Sequence, residues 1–231
     1  MLRSFSAYMG SLGIVVCLAL SLACSGVPSS REIATGSEPT HDGLYRLDHT
    51  YRFQRIWVRP GSSIAGYDKL LPINAGVHYK RPPKKIRGEY PLSETQMARV
   101  QEVLGEVFQE EVTADGAWTI VSEPGPDVLI IRGAILDLVV TADPDPPTGR
   151  NRTYTTSVGE ATLLIEIFDS QSREILARVA DRRRIERDTG SWRNDTINNR
   201  SAAKQVFRSW ARRLRQGLEN ARANPWPAAP E

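Results

Sequence analysis

After residue 24 this chain has no cysteine; its only two, Cys17 and Cys24, stand near the N-terminus. That absence excludes disulfides, thiolate metal ligands and a cysteine nucleophile from the body of the protein. Histidine is nearly as scarce, and His41, His49 and His78 lack the close spacing of a paired metal site. The G-x-S-x-G, H-E-x-x-H, P-loop and G-x-G-x-x-G patterns are also missing. The sequence therefore assigns no catalytic residue, no metal and no cofactor. A strong excess of one charge is missing too: 30 Lys and Arg face 27 Asp and Glu, for a formal net charge of +3. So even a balance speaks against nucleic acid as a partner, which calls for a pronounced basic stripe. What remains is ordinary: 231 residues, 40% apolar and 25% charged, a composition that folds and that suits one domain.

The N-terminus departs from that composition. Met1-Leu2-Arg3 is a short basic start, no charged residue appears from Ser4 to Ala23, and Leu12 to Leu20 is strongly apolar. This layout is that of a secretory signal over residues 1–23. It closes on Leu20-Ser21-Leu22-Ala23-Cys24, which resembles the lipobox of bacterial lipoproteins, with Ser21 where leucine is usual. The resemblance implies a diacylglyceryl group on the Cys24 thiol, cleavage before it, and a further acyl chain on the new amine. Two or more chains anchor stably where one does not. Ser25, in place of aspartate, implies sorting to the outer membrane, facing the periplasm. An uncleaved membrane helix and a plain secretory signal are the alternatives. The expected address is the bacterial cell envelope, with membrane attachment through lipid on Cys24.

Residues 24–48 are rich in Ser, Gly, Pro and Thr without apolar period and read as a flexible tether. A single α+β domain is expected over 49–222. Phe53 to Val58 alternates as a strand stopped by Pro60-Gly61, while 61–91 resists assignment. Ser93 and Gln96 form a capping box, and Met97, Val100, Leu104, Val107 and Phe108 then recur at helical spacing. Trp118–Val121 reads as a short strand, and Val128–Thr141, apolar on both faces, as a central one with a bulge at Gly133. Residues 159–168 and 174–185 form a hairpin whose paired numbers sum to about 342–344. That register sets Glu160 against Arg182 or Arg184, and Glu166 against Arg178. A last helix is expected at about 201–221, followed by a disordered tail at 223–231. The predicted fold class is α+β: a single antiparallel sheet of about 4–5 strands with two helices on one face, in the order β-α-β-β-β-β-α.

Several of these stretches together resemble a known family. Val58-Arg59-Pro60-Gly61 followed by Tyr67, the helix opened by Leu92-Ser93, Val128–Arg132, Gly159-Glu160-Ala161-Thr162, and Asp169-Ser170 with Arg173-Glu174 are similar to the bacterial lipoproteins of domain of unknown function 3313. The resemblance covers roughly residues 50–220. It implies an envelope address and one domain, and it brings no activity or catalytic residue with it.

Two candidate contact sites follow. The basic stretch Lys80, Arg81, Lys84, Lys85 and Arg87, flanked by Tyr79 and Tyr90, suits anionic lipid headgroups, lipid A phosphates or anionic glycan; a solvated Pro-rich loop is the plain alternative. Leu164, Phe168 and Leu176 on the otherwise polar hairpin face suggest a surface for an envelope protein. Asp143 and Asp145 read as a turn rather than a calcium loop, given the intervening prolines. The expected function is a non-enzymatic docking or accessory module. The alternative is an envelope hydrolase using Asp and Glu as acid and base, for which no paired spacing is present.

Overall fold

The computed structural model describes residues 32–48, 52–146, 153–186 and 190–230. In chain order the elements are β1 (Tyr45–Arg46), β2 (Arg55–Val58), β3 (Lys69–Tyr79), α1 (Glu94–Val112), β4 (Thr119–Ile120), β5 (Val128–Val140), β6 (Tyr154–Thr155), β7 (Gly159–Asp169), β8 (Ile175–Ile185), β9 (Trp192–Arg193) and α2 (Thr196–Ala223). Seven strands form one sheet in the order β1-β2-β8-β7-β5-β3-β4, and β6 and β9 form a separate pair.

The sheet is mixed, which overturns the expected 4–5-stranded antiparallel sheet. β3 runs parallel to both β5 and β4, whereas β1, β2, β8, β7 and β5 pair antiparallel. The difference lies in β3, an eleven-residue strand inside the stretch that showed no pattern. Pro72 and Asn74-Ala75-Gly76 interrupt its alternation, and its ladder with β5 slips after Asn74. Gly76 has φ +94, a left-handed conformation that glycine adopts without a side-chain penalty. With β3 present, α1 becomes the crossover that a parallel pair requires.

The hairpin formed as its charges dictated. Glu160, Thr162 and Glu166 lie opposite Arg184, Arg182 and Arg178, a constant sum that slips by one only between Ile167 and Phe168. On one face Leu129, Ile131, Leu163, Ile165, Ala177 and Val179 join a core cluster with the helices. Gly133 pairs regularly with Ile165 of β7 and marks the point where the β3 ladder slips, whereas the bulge in β5 lies between Leu136 and Val139, where Asp137 has φ 51. That kink turns Leu138 and Val140 into the core.

α1 carries the expected capping box at Ser93 and Gln96. α2 begins five residues before the expected start, because Asp195 accepts from the Asn198 backbone N–H at 2.8 Å and caps a first turn of poor helix formers. Trp210, fully buried and stacked on Phe207 with centroids 5.9 Å apart, donates its indole N–H to Asp181 at 2.8 Å. Asp181 also accepts from Arg183 at 2.8 Å and the Gln54 backbone at 3.1 Å, which ties α2 to β8 and β2.

The described residues nearest each end are more ordered than their composition suggests. Residues 32–48, expected as tether, fold back on the sheet edge: Ile33 bridges Leu47, and Leu44 and Ala34 are buried. A turn through Thr40, Asp42 and Gly43 (φ +78) closes this loop, so a few anchors suffice in polar sequence. The expected disordered tail docks as well, through Gly61 N–H to Pro227 O (2.9 Å) and Trp226 N–H to Ser62 O (3.1 Å). The signal, Cys24 and the rest of the expected tether lie outside the described residues.

Candidate functional site

The basic stretch forms the connection between β3 and α1. Its two ends are held by the end of β5: Lys80 N–H bonds Leu138 O at 3.3 Å and Tyr90 N–H bonds Val140 O at 2.9 Å. The loop closes around Glu89, which is buried at 4% exposure. Arg87 donates to Glu89 at 2.9 Å, Arg81 pairs with its other oxygen, and the Lys84 backbone N–H approaches at 3.3 Å. The Arg87 guanidinium first of all, then the Lys84 amide and Arg81, outweighs burial and holds the Glu89 carboxyl down to about 2. Two of the five basic residues therefore shape the loop. Lys80, Lys84 and Lys85 are exposed and have no ion-pair partner among the described residues. Between them Ile86 stands 93% exposed on a single 3-10 turn closed by Gly88 at φ 66.

The hairpin face is less open than expected. Arg132, Glu166 and Arg178 lie opposite one another across β5, β7 and β8, and Arg178 reaches on to Asp42. This row of alternating charge is satisfied within the chain. Phe168 lies under the Arg132 guanidinium, 5.1 Å from ring centre, and Leu164 is half-buried between Ala134 and Ala180. Leu176 does not reach this face. The register slip beside Ile167 turns it into the core at 5% exposure, so the three residues form no common patch.

Some of the residues that carried the family resemblance meet at the opposite end of the sheet, around the hairpin turn, whereas Leu92 and Ala161 lie at the cavity end. Tyr67 donates to Asp169 at 2.8 Å, Arg59 donates to Ile175 O at 2.8 Å and pairs with Glu174 at 3.2 Å, and Ser170 donates to Gly125 O at 2.7 Å. Burial and then the Asp169 carboxylate push the Tyr67 hydroxyl up to about 12, so it stays protonated as a structural donor. Asp143 accepts from the Asp145 backbone at 3.0 Å in a turn, and among the described residues no group of His, Asp or Glu is arranged to hold a metal.

Sequence reasoning missed one feature entirely. Where α1 and α2 splay over the end of the sheet, a cavity of about 340 Å³ opens. Its floor is carbon: Val103 from α1, Ile135, Leu138 and Ala161 from the sheet, Phe207 from α2. Small side chains leave the space, Ala161 and Ala142 buried and Ala203 half-buried where larger residues would close it. Its rim is polar and exposed, with Thr95 and Arg99 on α1, Asp145 on the β5–β6 connection, and Thr196 and Arg200 on α2. No local pattern announces such a site, because its walls come from five separate elements. Only the alanines among large apolar neighbours hint at it.

Leu138 and Val140 line this cavity and also hold the basic loop, so loop and cavity share one end of the sheet. The N-terminal segment leads to the same end. β2 runs antiparallel to β8 with Arg55 opposite Ala180, β1 antiparallel to β2, and Ile33 opposite Leu47. Followed backwards, the chain at Glu32 therefore heads toward Ile185.

The model of the family described as "Protein of unknown function (DUF3313)" matches residues 46–214. The chain belongs to that family. No curated protein matches the sequence. Solved structures similar to this DUF3313 chain include a PelC dodecamer from Paraburkholderia phytofirmans, at 12% identity and a TM-score of 0.35 over 69% of this chain and 95% of that one. A Xanthomonas campestris protein of family DUF330 matches at 13% identity and 0.38, over 71% and 90%. A neuraminyllactose-binding hemagglutinin homologue from Helicobacter pylori matches at 9% and 0.40, over 72% and 90%.

Proposed function

We propose that this protein is a lipid-anchored, non-catalytic module of the bacterial cell envelope that rests the loop-and-cavity end of its sheet on an anionic membrane surface. The observation that carries the reading is the loop itself: three lysines without carboxylate partners among the described residues, around an apolar tip, at the end toward which the described N-terminal segment points at Glu32. On a membrane the same arrangement is complementary, with lysines at the headgroups and Ile86 among the acyl boundary.

Magnitudes agree with a weak contact that an anchor makes effective. Each lysine near an anionic surface contributes about 1 kcal/mol and Ile86 about 1.5–3 kcal/mol if fully buried, which together give a dissociation constant between roughly 0.5 mM and some tens of micromolar. Cys24 stands eight residues before Glu32, a span of at most about 28 Å when fully extended and roughly 16 Å as a coil. A lipid at Cys24 would thus confine the domain to the surface at an effective concentration of about millimolar, above that dissociation constant. Charge chemistry supports a non-catalytic role. Asp42, Glu89, Asp127, Asp169 and Asp195 are all held below the usual carboxylate range by hydrogen-bond donors and cations, the reverse of what a general acid requires.

The test is partitioning of the chain from residue 24 onward, carrying Cys24→Ser, onto phosphatidylglycerol vesicles at millimolar lipid. Replacing Lys80, Lys84 and Lys85 by alanine lowers partitioning on the order of 100-fold at ~1 kcal/mol each, and raising salt weakens the parent. Equal partitioning of the triple variant and its parent rejects the proposal. Intact mass of the mature protein tests the anchor separately.

A further inference from the structure

The cavity at this end has the chemistry of a binding site for one acyl chain. Its floor is carbon contributed by both helices and three strands, and its volume of about 340 Å³ lies at the lower end of ligand pockets, roughly 300–1,000 Å³. That suits a single chain and is too small for a two-chain phospholipid. The opening is not apolar all round. Arg200 stands on it exposed and without an ion-pair partner among the described residues. Arg99 is there too, paired 3.3 Å from Glu102, and Asp145 is engaged by the Gln96 amide at 3.1 Å. Arg200 is thus the cation left unpaired at the opening among the described residues, and the basic loop adjoins it.

We propose that this cavity takes up a single-chain amphiphile with an anionic head, a fatty acid or lysophospholipid, with its chain between α1 and α2 and its head at Arg200. The source of the ligand rests on the membrane-facing reading above; the binding chemistry does not. Ala203 and Ala161 keep the space open, and the exposed rim at Thr95, Arg99, Thr196 and Arg200 leaves a route for the chain. The polar head needs no buried partner, because the rim is solvated.

Dodecanoate, titrated calorimetrically below its micelle concentration into the chain from residue 24 with Cys24→Ser, binds one molecule per chain. Ala203→Trp, which places an indole in the cavity, weakens it at least about tenfold. Arg200→Glu weakens dodecanoate at least about threefold and leaves dodecyltrimethylammonium, the same chain with a cationic head, unweakened. Methyl NMR of the unsubstituted chain provides a measurement independent of variant folding: dodecanoate shifts Val103, Ile135, Leu138 and Ile185 and spares Val58 and Ile64 at the far end. Absence of saturable binding, shifts spread over both ends, or equal binding by a folded Ala203→Trp overturns the proposal. Cation binding as tight as dodecanoate overturns the assignment of the head. Vesicle partitioning separates the two readings, since Ala203→Trp keeps it if the cavity alone is at fault, whereas parent chain that binds dodecanoate but not vesicles refutes only the membrane reading.

Discussion

Asp42 fastens the N-terminal segment to the sheet, and its removal should lengthen the tether as well as weaken the fold. Its carboxylate accepts from Thr40 Oγ1 at 2.5 Å and pairs with Arg178, while its backbone oxygen accepts from Arg59 at 2.9 Å. Burial alone would raise its pKa; the Thr40 hydroxyl and the Arg178 guanidinium outweigh it and bring the group from 3.8 to about 2. With the side chain 20% exposed, that difference corresponds to about 1–2 kcal/mol of folding stability after solvent screening. Because the folded pKa is the depressed one, the contribution is complete above the unfolded value near 4 and disappears as pH falls through about 2. Roughly half should survive at pH 3.

Asp42→Asn should therefore lower the unfolding free energy by about 1–2 kcal/mol at pH 7, or Tm by about 3–6 °C, with the deficit shrinking between pH 4 and pH 2. Urea unfolding across that range reads the deficit. Amide exchange supplies the local readout. The Ala34 and Leu47 amides, which bond Arg46 O and Ile56 O at 2.8 and 2.9 Å, should exchange faster in the variant, and Ile165 in the core should not. A deficit below about 0.3 kcal/mol, within the scatter of surface substitutions, would refute the reasoning. So would a deficit that stays constant down to pH 2, since it could not then come from ionised Asp42.

Two further substitutions test the frame. Asp181→Ala leaves Trp210 Nε1 and the Arg183 guanidinium without their acceptor at a site 2% exposed, and should cost about 3–5 kcal/mol by urea unfolding. Gly159→Ala would put a Cβ 2.0 Å from Val139 O at φ 156, where backbone must move, and should cost about 3 kcal/mol by the same measurement; a melting temperature equal to the parent's would contradict that geometry.

Elements with a strong local pattern were legible in the sequence. The hairpin register followed from Glu160, Glu166 and their arginines, since cross-strand charges admit few alignments and a one-residue slip would expose Leu163 and Ile165. The capping box at Ser93 located α1 to the residue. What escaped depended on partners distant in the chain. β3 contains a proline, an asparagine and a glycine that deny it a period, and it is a strand because Val128–Leu138 offers it a parallel ladder. Residues 32–48 are polar on average but fold on Leu44, Ala34 and the Asp42–Arg178 pair, and Arg178 is 136 residues away. Leu176 was placed on the wrong face because alternation assumes no bulge. The basic loop was visible as charge, but not the division of labour within it, which a buried Glu89 imposes.

That division bears on which end of the molecule does the work. Tyr67, Arg59, Asp169 and Glu174, four of the residues by which the chain resembles its family, satisfy one another at the hairpin-turn end. A group already hydrogen-bonded and charge-paired has little left to offer a ligand, so this end holds the fold together. The cavity end is built the opposite way. Lys80, Lys84, Lys85 and Arg200 carry charge without an ion-pair partner among the described residues, Ile86 is exposed, and alanines leave space between the helices. Leaving charge and apolar surface unpaired forgoes stability, and doing so beside an open apolar cavity is the pattern expected where something else completes the surface. The shared β5 terminus at Leu138 and Val140 links the two open features mechanically. A ligand that pushes on the cavity floor pushes on the strand that holds both ends of the basic loop.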